Sequence, residues 1–205
     1  MSAGHIEQMI FSGELAPGQR LIEPDLSNNL NVARGRVREA LRILAGSGLI
    51  ELIPQRGARV AEMPRGDIVS VIEALAAVVL KGMEIFGVRH RLPEQPVANA
   101  VLAAMARIQR AQHMAGAPLH RATIEYHVLI NHLSGNLRLN TLVSRLGVSL
   151  YERKLGDMMG PSHRADIVNS YQGATDLLLG GKSEAAVALL DSQVRLLIER
   201  VESGL

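Results

Sequence analysis

The stretch NVARGRVREALRILAGSGLIELIPQRGARV, Asn31 to Val60, decides the fold. Arg34, Arg38 and Arg42 recur at i, i+4 and i+8, with Arg36 between them, while Arg56 and Arg59 flank Gly57. Like charges along one helix face repel, so a helix used only for packing gains nothing from this row, and an anion is expected against it. Val37, Leu41 and Leu44 form the opposite, inward stripe, and Gly46 and Gly48 end the helix. LIELI, the turn PQRG and ARVAE then read as a short hairpin, with Gly57 free to take positive φ, and this is the one clear β signal in the chain.

Working outward toward the N-terminus, HIEQMIFSG predicts a first helix. LAPGQRL predicts a Pro-Gly turn, and EPDLSNNL a short second helix that tolerates Pro24 in its first turn. Helix, short helix, tight turn, helix and two-stranded wing is the layout of a winged helix-turn-helix. Ala33 to Arg38 is then the exposed start of a recognition helix, the end that enters a major groove. Arg34, Arg36 and Arg38 are placed to pair with guanine or phosphate there, and Gly35 lies among them. The helix dipole favours phosphate at the same end. Gly57 lets the wing tip approach the duplex closely, and Arg56 beside it is placed for phosphate or a minor groove.

Charge supports the localisation. The net charge is only +2 over 205 residues, yet Asn31 to Val60 holds six arginines against Glu39 and Glu51. The absence of cysteine excludes disulfides and thiolate zinc sites and favours a reducing compartment. The first residues lack a basic segment followed by an apolar one. The most apolar run, IVSVIEALAAVVL, carries Glu73, stops at Lys81 and is too short to span a bilayer. A cytoplasmic location without membrane association is expected.

EMPRGD marks the expected boundary, with a winged helix-turn-helix over 1–62 and an all-helical domain over 63–205. Periodicity predicts six helices in the latter, at about 67–90, 94–115, 118–134, 137–158, 162–179 and 183–202. The fold class is therefore mainly α. The first of these helices is apolar almost all round and is expected to be buried on several sides, within the bundle and against a second subunit. GGKS at Gly180 to Ser183 lacks the first glycine of a phosphate loop and follows a helix, so it reads as a helix-helix turn. No GxSxG, HExxH or CxxC motif occurs, and an enzyme is not expected.

The segment from Ser12 to Val60 resembles the DNA-binding domain of GntR-type bacterial regulators, whose wording is close to G-x-L-x-P-G-x-x-L-x-E-x-x-L-A, V-S-R-x-P-V-R-E-A-L-x-x-L, G-L-[IV] and R-G-x-x-V. The resemblance implies that Arg34 and Arg38 fall on DNA-contacting arginines and Gly57 on the wing-tip glycine. Ala33 stands where Ser is usual, removing an N-cap, and Gly35 and Arg36 replace a small residue and Pro. The extra arginine should change which bases are read.

The helical remainder, with EYHVLINHLSGN in its middle, resembles the FCD-type domain of the FadR branch. That resemblance implies an organic-acid effector, often held through a metal on one Asp and three His. The corresponding positions here read Thr123, His127, Tyr171 and Gln193, and the pocket arginine falls on Leu75. One imidazole with a hydroxyl, a phenol and an amide is a poor shell for a divalent ion, so no metal or other cofactor is expected. His120 and His127 are two turns apart, about 10 Å, too far for shared coordination. Thr123, His127 and Asn131 stack at i, i+4 and i+8 as a polar stripe facing a bundle interior. The expected pocket is thus Thr123, His127, Asn131, Tyr171 and Gln193, although His127 also reads as a satisfied core histidine. The expected partners are double-stranded DNA, a second copy in a homodimer, and a small-molecule effector. The alternative is a helical domain that only dimerises.

Overall fold

The computed structural model describes residues 2–12, 14–54, 57–62, 65–114, 118–146 and 160–203. Arg56, and positions 147–158 of the helix expected over 137–158, lie outside the described residues. The chain divides into two units, one built on Met1–Arg65 and the other on the helices after it.

In the first unit, α1 (Ser2–Ser12) lies against α3 and contributes the buried Ile6 and Ile10. A turn with Gly18 at φ +77° leads into β1 (Arg20–Leu21). A side chain at Gly18 would strike that of Glu62, so the turn needs glycine twice over. Then come α2 (Glu23–Asn29), α3 (Arg34–Gly46), β2 (Ile50–Ile53) and β3 (Gly57–Val60). The α2–α3 turn passes through Asn31 at φ +50°, a conformation that Asn tolerates, and is closed by the Ser27 hydroxyl donating to the Val32 carbonyl at 2.6 Å. On α3, Val37, Ala40, Leu41 and Leu44 are buried, as the inward stripe requires.

The wing is larger than the sequence predicts. β1 pairs antiparallel with β3, giving a three-stranded sheet in the order β1-β3-β2. Two residues carry no readable alternation, and their pairing follows from where the Gly18 turn delivers the chain. The Gly18 amide donates to Val60 O at 3.0 Å, and the Val60 amide to Gln19 O at 2.9 Å.

The second unit comprises α4 (Arg65–Arg89), α5 (Gln95–Ala111), α6 (Pro118–Leu133), α7 (Leu137–Arg145), α8 (Pro161–Leu179) and α9 (Ser183–Ser203). Tyr126, Phe86, Met83, Met105, Ile108 and Leu178 are the large side chains of its core. α5 pairs with α6 and α8 with α9, and the Tyr126 phenol meets the Thr175 hydroxyl at 2.9 Å to tie α6 to α8. Gly180 and Gly181 form the α8–α9 turn, as expected for GGKS, with Gly181 at φ +75°. Gly66, read as an interruption, instead falls in the first turn of α4, where glycine costs little because early helix positions lack a full set of bonds. α4 is also less enclosed than its composition suggests. Ile72, Ala76, Val79, Met83 and Phe86 are buried, while Glu73, Ala77, Lys81, Glu84 and Val88 are exposed on one stripe.

Candidate functional site

Two places in the molecule combine chemistry-bearing residues with a geometry suited to a partner. On α3 the inward stripe turns Arg34, Arg36, Arg38 and Arg42 to solvent, and Gly35 is exposed beside them. Ala33 is the N-cap residue and makes no side-chain cap, so the first turn carries amides that no side chain satisfies. A side chain at Gly35 would meet nothing within 4 Å, so packing inside the chain does not call for glycine there.

The arginine row has an internal anion that its spacing does not reveal. Glu23, at the start of α2, receives Arg38 side-on, with Nη2 to Oε2 at 2.8 Å and Nε to Oε1 at 3.1 Å. The hydrogen bonds from Arg38 hold the Glu23 carboxyl below its ordinary range. Partial burial opposes this, and the charges of Arg38, Arg34 and Arg42 add to it. Arg42 lies 3.8 Å from Glu39, whereas Arg34 and Arg36 form no ion pair among the described residues. The expectation that the whole row awaits an external anion is therefore corrected for Arg38. At the wing, Arg59 faces Glu51 directly across the β2–β3 register and pairs with it at 2.8 Å. Gly57 takes φ +90°, the conformation that its place in the turn predicts. Arg42 and Glu23 were not among the expected contact residues. Arg42 was legible from its spacing, but Glu23 becomes visible only when α2 crosses α3.

In the second unit, α4, α6, α8 and α9 line a partly open cavity of ≈ 80 Å³. Thr123, His127, Tyr171 and Gln193 all line it, and so does Leu75. Ile72, Val79, Ile124, Leu190 and Leu197 make the remaining wall largely aliphatic. His120, which the sequence reading set aside for its distance from His127, lines the same cavity. Its signal was the seven-residue spacing, two helical turns, which puts both rings on one face without bringing them together. Asn131 does not line it. One turn further along α6, fully buried, it sits against Gly82 of α4, where a β-carbon would overlap its side chain. The stripe therefore continues past the cavity into helix-helix packing.

Within the cavity the polar groups bind one another. His127 Nε2 and Tyr171 Oη are 2.7 Å apart, and Thr123 Oγ1 donates to the His120 carbonyl at 2.7 Å. Gln193 Oε1 accepts from Ser170 at 2.9 Å. Burial lowers the His127 pKa to about 3, with a smaller contribution from His120, and lowers that of His120 to about 4. Both rings are neutral at pH 7. Burial likewise drives the Tyr171 phenol well upward. A divalent metal does not fit this donor set. Among the described residues no carboxylate lines the cavity, the imidazole nitrogen of His127 that meets Tyr171 is already engaged, and a phenol with a raised pKa resists becoming a ligand. No group of three or more His, Cys, Asp or Glu side chains suited to a metal occurs among the described residues.

Comparison with known proteins places these features in a lineage. Residues 3–60 match the model of the bacterial regulatory proteins of the gntR family, and residues 89–196 match that of the FCD domain. An HTH-type transcriptional regulator from an unstable DNA locus of Streptomyces ambofaciens is 40% identical over 58 residues, 28% of this chain and 25% of that protein. YdhC of Bacillus subtilis, also an HTH-type transcriptional regulator, is 32% identical over 63 residues, 31% of this chain and 28% of its own. The chain thus matches about a quarter of the length of these relatives. Among solved structures, E. coli McbR/YncC superposes with a TM-score of 0.78 at 18% identity, over 98% of this chain and 95% of that one. A Rhodococcus sp. RHA1 chain assigned to the GntR regulators gives 0.73 at 23%, over 99% and 96%. At such identities the superpositions speak for the fold alone. Regulators, not enzymes, surround the chain in these comparisons, and the two family models together cover both of its units. The chain belongs to the GntR family of bacterial regulatory proteins, with an FCD domain after its N-terminal gntR segment.

Proposed function

We propose that the chain is a cytoplasmic, metabolite-responsive repressor that binds a pseudo-palindromic operator as a homodimer. Residues 1–62 serve DNA binding, and residues 63–205 serve ligand binding and dimerisation. The observation that carries this reading is the arginine row of α3, exposed along one face of a helix whose other face is buried. Arg34 and Arg36 are free to engage base edges or phosphate, and Gly35 lets the backbone of the first turn approach the duplex. Arg38 is held at its place in the groove by Glu23, with Arg56 and Gly57 at the wing tip. Two half-sites a helical turn apart require a twofold assembly. The cavity supports an effector that releases or reshapes the DNA-bound form. Its donor set supports a site without metal or cofactor, in which Thr123, His127, Tyr171 and Gln193 contact the ligand directly and Asn131 lies behind them.

Footprinting on the DNA flanking the chain's own gene, with sedimentation of the free and DNA-bound protein, tests the reading. The expected result is a protected region with two symmetric halves and a complex holding two chains. A protein that stays a monomer on DNA, or protects no site there, overturns it. A helical domain that only dimerises would leave DNA binding indifferent to every small molecule.

A further inference from the structure

The composition of α4 calls for cover on several sides, and the bundle covers only one. Ile72, Ala76, Val79, Met83 and Phe86 are buried, while Glu73, Ala77, Lys81 and Glu84 are exposed. Between Ile68 and Val88 the only charged residues are Glu73, Lys81 and Glu84. Ala74 and Val78 flank the exposed stripe half-buried, and Val88 at its end is 84% exposed. A helix on the outside of a bundle ordinarily carries a polar outer face, whereas one that is apolar nearly all round is covered there too.

The charges on the stripe have an order. Glu73, Ala77 and Lys81 stand at i, i+4 and i+8, so opposite charges lie about 6 Å to either side of a small residue along the helix axis. Glu73 forms no ion pair among the described residues. Lys81 reaches Glu84 at 2.6 Å, on the side away from Glu73, and its side chain is still 61% exposed.

This order is self-complementary under a twofold axis that runs two such helices antiparallel. With Ala77 over the partner's Ala77, each Glu73 comes level with the partner's Lys81. Other registers fail. A parallel twofold pair sets like charges level with each other. An antiparallel pair centred between Val78 and Val79 sets Glu73 against the partner's Glu84. One centred between Gly82 and Met83 would match Lys81 with Glu84, but both central residues are buried on the inner face. Centring on Ala77 alone combines opposite charges with an exposed small side chain at the closest approach.

We infer that α4 pairs with α4 of a second copy of this chain, antiparallel and centred on Ala77, with two symmetric ion pairs between Glu73 and Lys81. This deepens the homodimer reading above and rests on it. The flanking Ala74 and Val78 leave water on pairing, and the ion pairs select the register over its competitors.

Charge reversal tests the register in the full chain, with sedimentation for the dimer and far-UV circular dichroism for the fold. Glu73→Lys and Lys81→Glu alone should each weaken the homodimer by about tenfold or more, since each turns two attractions into two repulsions. Mixing the two single variants should restore dimers selectively, because every Glu73→Lys chain then faces a Lys81→Glu chain with opposite charges level at both sites. The chain has no cysteine, so Ala77→Cys supplies a single thiol, which should cross-link two copies on mild oxidation. Ala103→Cys, exposed on α5, should not. Single variants that fold and dimerise like wild type, a mixture without preferred heterodimers, or equal cross-linking at the two cysteine positions would each overturn the inference while leaving the homodimer reading intact. A wild-type chain that is a monomer at micromolar concentration, free and on DNA, overturns both.

Discussion

The outer face of α3 and the inner face of α6 use polar residues in opposite ways. On α3, Arg34 and Arg36 are exposed and form no ion pair among the described residues, and Arg38 is held by a carboxylate from α2. On α6, Thr123 and His127 are buried, Thr123 bound to the His120 carbonyl and His127 to the Tyr171 phenol, with an imidazole nitrogen left over. In water an unpaired guanidinium is cheap, because solvent satisfies it until an anion displaces that solvent. Inside a bundle an unpaired polar atom is expensive, so most partners must come from the protein itself. The first surface is therefore tuned by long-range charge and should respond to salt. The second is tuned by desolvation and should respond to pH and packing.

Breaking the α3 side should have the largest effect. Arg34→Ala or Arg38→Ala is expected to weaken operator binding about tenfold to hundredfold per contact, compounded in a symmetric dimer, and wild-type affinity should fall steeply with salt. Fluorescence anisotropy against labelled operator measures both, and unchanged affinity in the two variants would remove α3 from the groove. Glu23→Gln sharpens the point. Losing the carboxylate frees Arg38 to bind phosphate anywhere, so affinity for random DNA should rise while the preference for operator falls.

On the α6 side, pH is the larger lever. His120 and His127 have folded pKa values lowered to about 4 and about 3, against about 6.5 in an unfolded chain. The unfolded state therefore binds more protons between these values, so stability is complete above pH 6.5 and is lost as the pH falls toward 4. By pH 5 each histidine should have cost on the order of 2 kcal/mol, read by urea unfolding of the helical signal at pH 7.5 and 5. His127→Gln should remove about half of that dependence. A pH-independent midpoint would mean that the rings are hydrated.

Packing comes next. Gly82→Ala drives a methyl into Asn131 and should destabilise the protein by about 1–3 kcal/mol in thermal unfolding. Because both polar atoms of Asn131 lack partners, adding Asn131→Ala should restore most of the loss, and a purely additive double variant would refute the contact. The smallest expected effect is none at all. Chelator should leave the melting temperature unchanged, and elemental analysis of untagged protein should find well under one transition metal per chain. Stoichiometric zinc or nickel would show that the cavity's donor set has been misread.

What the sequence determined by itself was what periodicity and local chemistry carry. Val37, Leu41 and Leu44 at helical spacing gave α3 its inner face, and the arginines could then only point outward. Pro17-Gly18, Gly57 and Gly181 marked turns because few other residues adopt their backbone angles. The helices of the second unit were equally legible from apolar spacing, except over positions 147–158, which lie outside the described residues. Tertiary structure alone decided which side chains from distant segments meet. β1 is too short to announce itself and is a strand only because β3 is already beside it. Glu23 becomes the partner of Arg38 across 15 residues because the α2–α3 turn folds one helix over the other. His120 enters the cavity and Asn131 leaves it because α8 and α9 cover the first part of the α6 stripe and Gly82 of α4 meets the next. Spacing along one helix fixes a direction, but the neighbour met in that direction is set by segments far away in the chain, and a single sequence records them separately.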